Sequence, residues 1–139
     1  MLKYCGFAGV ILALTTAAIA DPMPMDRAVQ MNGLETVCTG VGETKDDPQW
    51  NAYPVRVEFS NGGAQYLAGA TLRVSKGRTM IAEMDCAGAW VLLRGPTGNY
   101  HVTATIDGSQ ARPANARFMM RNGAQKRVVL RFPDFQINN

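Results

Sequence analysis

A chain of 139 residues with 14 Lys and Arg against 11 Asp and Glu is too short for two sizeable domains and too evenly charged for a disordered polyelectrolyte. With 47% hydrophobic residues it can bury one modest core. One histidine and three cysteines, with no C-x-x-C pair, leave little from which to build a structural zinc cluster.

Residues 1–20, MLKYCGFAGVILALTTAAIA, read as a secretory signal peptide. Lys3 supplies the positive start, Phe7 to Leu14 the apolar run, and Ala18-Ile19-Ala20 a small-x-small cleavage site, so the mature chain is expected to begin near Asp21. The apolar run is shorter than the roughly 20 residues that a spanning helix requires, and no later segment is long and apolar enough to cross a membrane. The expected location is periplasmic or secreted. Cys5 precedes the apolar run and is expected to be removed with the leader. Cys38 and Cys86 remain, and in an oxidising compartment an even count is most simply one disulfide. Closing a loop of that length stabilises by about 4 kcal/mol in the chain-entropy model. The competing reading, a pair of metal ligands, would need partners that His101 alone does not provide.

Residues 21–35 read as a linker, rich in proline and methionine and without a clear period. Met23, Met25 and Met31 raise a second possibility, a periplasmic copper binder, because thioethers are soft ligands for Cu(I). The remaining 36–139 form the expected domain. ETVCTGVG is an extended piece carrying Cys38. A short helical turn is expected near 48–52, with Asp47 as N-cap, Pro48 in the first position and Pro54 as stop. Capping accounts for Asp47, and Glu43, Asp46 and Asp47 lack the spacing of a calcium loop.

From Tyr53 onward the hydrophobic period is two. YPVRVEFS places Val55, Val57 and Phe59 on one face; ATLRVS places Ala70, Leu72 and Val74. TMIAEMDC and AGAWVLLRG follow as strands. NYHVTATID turns Tyr100, Val102, Ala104 and Ile106 inward. ARFMM and KRVVLRF close the domain, joined at Asn122-Gly123, a dipeptide that favours hairpins. Met80, Met84 and Met120 fall at core positions. Seven short strands with regular turns and no long amphipathic helix predict an all-β fold, a seven-stranded antiparallel β-sandwich.

The stretch PTGNYHVTA, residues 96–104, resembles the P-x-G-x-Y-x-V-x-A signature of carboxypeptidase regulatory-like domains, which are transthyretin-like (prealbumin-like) sandwiches. VCTGVG, DDPQWNAYPVRVEF, CAGAW and the closing VVLRFP extend the likeness to small exported bacterial proteins of that class. The resemblance implies a transthyretin-like sandwich with a non-catalytic binding or accessory role in the cell envelope. Under it, Cys86 ties the Cys38 segment to the sandwich, Trp90 fills the space beside the bridge, and Pro96 to Tyr100 set the register of the next strand.

The catalytic relatives of this class, the hydroxyisourate hydrolases, use several histidines and a C-terminal Tyr-Arg-Gly-Ser motif. This chain has one histidine and closes on RFPDFQINN, so a hydrolase is a remote alternative. Ser60, Ser75 and Ser109 lie in no nucleophile-elbow motif. No catalytic residue, cofactor or metal ligand is assigned. The candidate surface is basic: Arg117, Arg121, Lys126, Arg127 and Arg131, expected on a paired hairpin. From Ala111 onward there are six cations and one acid, whereas Asp21 to Trp50 carries six acids and two cations. Such asymmetry suits an anionic partner, either an envelope protein or an anionic glycan or lipid headgroup. Nucleic acid is not expected of an exported domain without an aromatic stacking platform.

Overall fold

The structure, a computed structural model, describes residues 22–63 and 65–136; the signal peptide expected at 1–20 lies outside them. Among the described residues nine strands make two sheets packed face to face. In chain order they are β1 (Ala28–Met31), β2 (Leu34–Thr39), β3 (Val55–Asn61), β4 (Ala70–Lys76), β5 (Thr79–Cys86), β6 (Trp90–Arg94), β7 (Gly98–Ile106), β8 (Ala114–Met120) and β9 (Lys126–Phe132). One sheet runs β1-β2-β6-β3-β9, the other β5-β4-β7-β8. The all-β sandwich is present, but with nine strands rather than seven.

The two added strands come from the front of the domain. Much of the segment expected as a linker is built into the fold, since β1 pairs with β2 from Ala28↔Val37 to Met31↔Leu34. The connection is an Asn32-Gly33 turn with both residues at positive φ (48° and 82°), the conformation of a two-residue hairpin loop. Met23 is buried at 6% exposure, and its N–H donates to the carbonyl of Asp85.

Alternation sorts the side chains between the faces. Val55, Val57 and Phe59 of β3 and Val128, Leu130 and Phe132 of β9 meet Leu72, Val74, Tyr100, Val102 and Phe118 of the facing sheet in one continuous core. Burying one such side chain fully stabilises by about 1.5–3 kcal/mol. The Cys38–Cys86 disulfide joins β2 to β5, with Cα atoms 5.6 Å apart, and so staples one sheet to the other.

A smaller apolar cluster lies on the opposite side of the five-stranded sheet. There Val37 and Leu92 are covered by Trp50 and Tyr53, carried on and just after a 3-10 turn at Pro48–Ala52. Asp47 caps this turn, accepting from the Gln49 N–H at 3.1 Å. A second 3-10 turn, Gly42–Asp46, precedes it. β6 is therefore buried on both faces, which explains why WVLLR does not alternate.

Three further expectations are corrected. Pairing is not wholly antiparallel, because β3 and β9 run parallel from Val55↔Lys126 to Asn61↔Phe132. β8 and β9 do not form a hairpin: they belong to different sheets, and the Asn122-Gly123 turn carries the chain across the open edge of the sandwich. Met80 is not in the core. A bulge between Val74 and Ser75 pairs Ser75 with Met80 and skips Ile81, which turns Met80 to solvent at 56% exposure. Met84 and Met120 are buried as expected.

Candidate functional site

The split between β8 and β9 divides the basic stripe. Arg117 projects from the four-stranded sheet, where it stands opposite His101. Arg121 and Lys126 flank the crossing turn beside Pro54 and Met119, around an open cleft of about 460 Å³. Arg127 and Arg131 lie on the outward face of β9 in the five-stranded sheet. All five are exposed, and among the described residues only Arg127 makes an ion pair.

The partner of Arg127 is Glu58, which alternates along β3 with the inward Val57 and Phe59. Glu58 is 0% exposed. Its Oε2 accepts from Arg127 Nε at 2.7 Å and lies 2.7 Å from Arg127 Nη2. Its Oε1 accepts from the Tyr66 hydroxyl at 3.0 Å and lies 3.2 Å from Arg56 Nη2. The hydrogen bond and the charge of Glu58 together hold the Arg127 guanidinium above its ordinary range. Taking a carboxylate out of water costs several kcal/mol unless pairing and hydrogen bonds offset it, and here two guanidiniums and a phenol do so.

Trp90 completes this cluster. It stands opposite both Thr39 and Glu58, so it lies on the outer face and not against the disulfide as expected. Its backbone carbonyl lies 3.6 Å from Cys86 Sγ. The Arg56 guanidinium lies 4.3 Å from the Trp90 ring centre, and the Tyr66 ring stands edge-on at 6.0 Å. Gly40, at φ 97°, lies so close that a Cβ there would fall 2.9 Å from the indole. Trp90 Nε1 and Arg56 Nε are buried without a hydrogen-bond partner among the described residues.

Local chain geometry explains how Tyr66 arrives. β6 ends its pairing with β3 at Glu58, and the chain after β3 folds back into the space that follows. Asn61 N–H donates to the Gln65 carbonyl at 3.0 Å, Leu67 N–H to the Phe59 carbonyl at 2.8 Å, and Tyr66 bridges to Ser60. This return lies beside β3 where the β6 strand would have continued. Asn61-Gly62-Gly63 signals a turn here, but nothing local signals that Tyr66 meets Glu58 after it.

The other candidates are dispersed. Met25 Sδ rests 3.4 Å from Cys38 Sγ, and Met31 packs against the main core, as does the buried Met23. Among the described residues no group of three or more His, Cys, Asp and Glu could hold a metal ion. Ser75 faces His101 across β4 and β7, but the imidazole Nε2 lies 3.3 Å from Asn115 Oδ1 on an open, polar sheet face. Among the described residues no helix is long and apolar enough to cross a membrane.

In comparison with known proteins, no family model matches the chain and no curated protein matches it.

Proposed function

We propose that this is an exported, non-catalytic β-sandwich module that binds an anionic partner in the cell envelope. The observation that carries this reading is the run of exposed cations Arg121, Lys126 and Arg131, which have no acidic side chain within 4.0 Å among the described residues and lie along the crossing turn and the edge strand β9. The four ion pairs among the described residues engage Arg56, Arg73, Arg94 and, on β9 itself, Arg127, and leave Arg121, Lys126 and Arg131 without an acidic partner. Unpaired cations on one edge steer anions toward that edge.

The carboxypeptidase regulatory-like assignment belongs to this proposal. It is supported by the Tyr100 hydroxyl, which donates to the Pro96 carbonyl at 2.7 Å and closes the Pro-x-Gly-x-Tyr turn. A domain of that class serves as an accessory module, which agrees with a surface built for contact.

Co-sedimentation of the purified protein with anionic and with zwitterionic vesicles tests the reading. Binding is expected only to the anionic vesicles, is expected to weaken with salt, and is expected to fall in the double variant R121Q/K126Q. Equal behaviour toward both vesicle types would refute it.

A further inference from the structure

A row of three side chains crosses the outer face at Ser60. Ser60 stands opposite Arg131 on β9 and opposite Tyr66 on the returning segment. At one strand spacing on each side, the Tyr66 and Arg131 columns are about 10 Å apart. The smallest of the three side chains is in the middle. Ser60, at 4% exposure, is the floor of a cleft of about 400 Å³ whose walls are Tyr66, Arg127, Val129 and Arg131.

One wall is thus aromatic and the other cationic, and Glu58 braces Tyr66 and Arg127. Glu58 accepts from Tyr66 on one oxygen and from Arg127 on the other, so one buried carboxylate fixes the ring and the guanidinium relative to each other. A buried ion pair is a weak way to gain stability, and its better use is to hold geometry. A guanidinium has five N–H donors, and Glu58 engages only part of the Arg127 fork. Arg131 has no acidic side chain within 4.0 Å among the described residues.

We propose that this slot binds a sugar ring carrying an acidic substituent, a carboxylate or a phosphate. The ring packs against Tyr66 over Ser60, and the acidic group is held by Arg131 and the remaining donors of Arg127. The width suits one pyranose ring. A neutral sugar forgoes the two guanidiniums, and a bare phosphate forgoes the aromatic wall. The proposal rests on the anionic-partner reading and narrows it to one ligand class and one place. The same chemistry is offered by a soluble acidic glycan and by a glycolipid headgroup.

Titration followed by amide chemical shifts tests it, with glucuronic acid and glucose 6-phosphate as probes and glucose and inorganic phosphate as controls. Both acidic sugars are expected to bind about tenfold or more tightly than either control, with shifts centred on Ser60, Tyr66 and Arg131. Tyr66→Phe, which keeps the ring and loses the hydroxyl, is expected to weaken binding less than Tyr66→Ala. Arg131→Gln is expected to weaken it about fivefold or more with an unchanged melting temperature. Vesicles bearing glucuronyl headgroups and soluble glucuronate oligomers distinguish the two sources; binding to either supports the slot. Inorganic phosphate binding as tightly as glucose 6-phosphate would overturn it, as would an Arg131→Gln variant of full affinity. If the protein still sediments with anionic vesicles while Tyr66→Ala and Arg131→Gln change nothing, the slot falls and the broader reading stands. If the protein binds neither the sugars nor the vesicles, both fall.

Discussion

Glu58 and Arg127 meet at 2.7 Å across the parallel β3–β9 pair, the Glu58 side chain wholly buried and the Arg127 side chain 56% exposed. The two ends of this contact are unequal. Arg127→Ala leaves the carboxylate in place with only Arg56 and Tyr66 to satisfy it. The loss of a charged hydrogen bond at a half-solvated partner, discounted for screening, is expected to lower stability by about 1–2 kcal/mol. Glu58→Gln keeps the shape and releases both guanidiniums. The double variant is expected to lose less than the sum of the singles, because the two residues share one interaction. Urea unfolding at neutral pH measures all three, and strict additivity would show that the pair is not coupled.

The bridge between Cys38 and Cys86 joins the two sheets where both sulfur-bearing residues are fully buried. The double variant C38S/C86S is expected to lose about 2–5 kcal/mol, within the range seen when a native bridge is removed from a small exported domain. Reductant is expected to lower the melting temperature of the parent protein and to leave that of the variant unchanged. Equal melting of the two proteins without reductant would show that packing alone holds the sheets together.

The legible parts of this fold were those governed by alternation within a strand. YPVRVEFS, NYHVTATID and KRVVLRF each turn inward the residues that their period of two selects. Features that depend on a neighbour from another part of the chain were not legible. The Asn-Gly rule illustrates this: Asn32-Gly33 forms a tight hairpin between strands that continue side by side, whereas Asn122-Gly123 joins strands that enter different sheets. The dipeptide permits a reversal but does not say which strand will be met afterward. Glu58 looked like a solvated residue because its burial is supplied by β9, 69 residues away, and by the returning Tyr66. Met80 was misplaced by one residue of bulge, and Trp90 by the face on which the middle strand shows it.

Asp85 stands opposite Thr71, whose hydroxyl donates to Asp107 Oδ1 at 2.7 Å, so the two acids are neighbours on the open face of the four-stranded sheet. Hydrogen bonding with Asp107, followed by partial burial and the Asp107 charge, pushes the Asp85 carboxyl above its ordinary value of 3.8. An acid whose folded value is raised holds its proton more tightly in the folded chain. The resulting stabilisation is complete below 3.8 and is lost as the pH rises through the raised value. At neutral pH two like charges face each other. Asp85→Asn keeps a donor toward Asp107 and removes one of those charges. It is therefore expected to melt higher than the parent at neutral pH, and the gap is expected to close on acidification. Thermal melts across an acid-to-neutral series measure this, and a gap independent of pH would mean that Asp85 is not the titrating group.

Tyr100 combines the turn motif and the core in one side chain. Its ring stacks on Phe118 with centres 5.7 Å apart, and its hydroxyl reaches back to the Pro96 carbonyl at 2.7 Å. Tyr100→Phe keeps the stack and leaves that carbonyl without its donor, which is expected to cost about 1 kcal/mol. Tyr100→Ala loses the ring as well and is expected to cost about 3–5 kcal/mol, the range for emptying an aromatic site. Burial also raises the Tyr100 hydroxyl above its ordinary value of 10.0. The folded chain therefore favours the neutral phenol, and this contribution is lost as the pH rises through the raised value. Tyr100→Phe is accordingly expected to lose less stability than the parent between neutral and strongly alkaline pH, so that the two unfolding curves converge there. Parallel curves across that range would place the hydroxyl in water and remove its bond to Pro96 as the force that closes the turn.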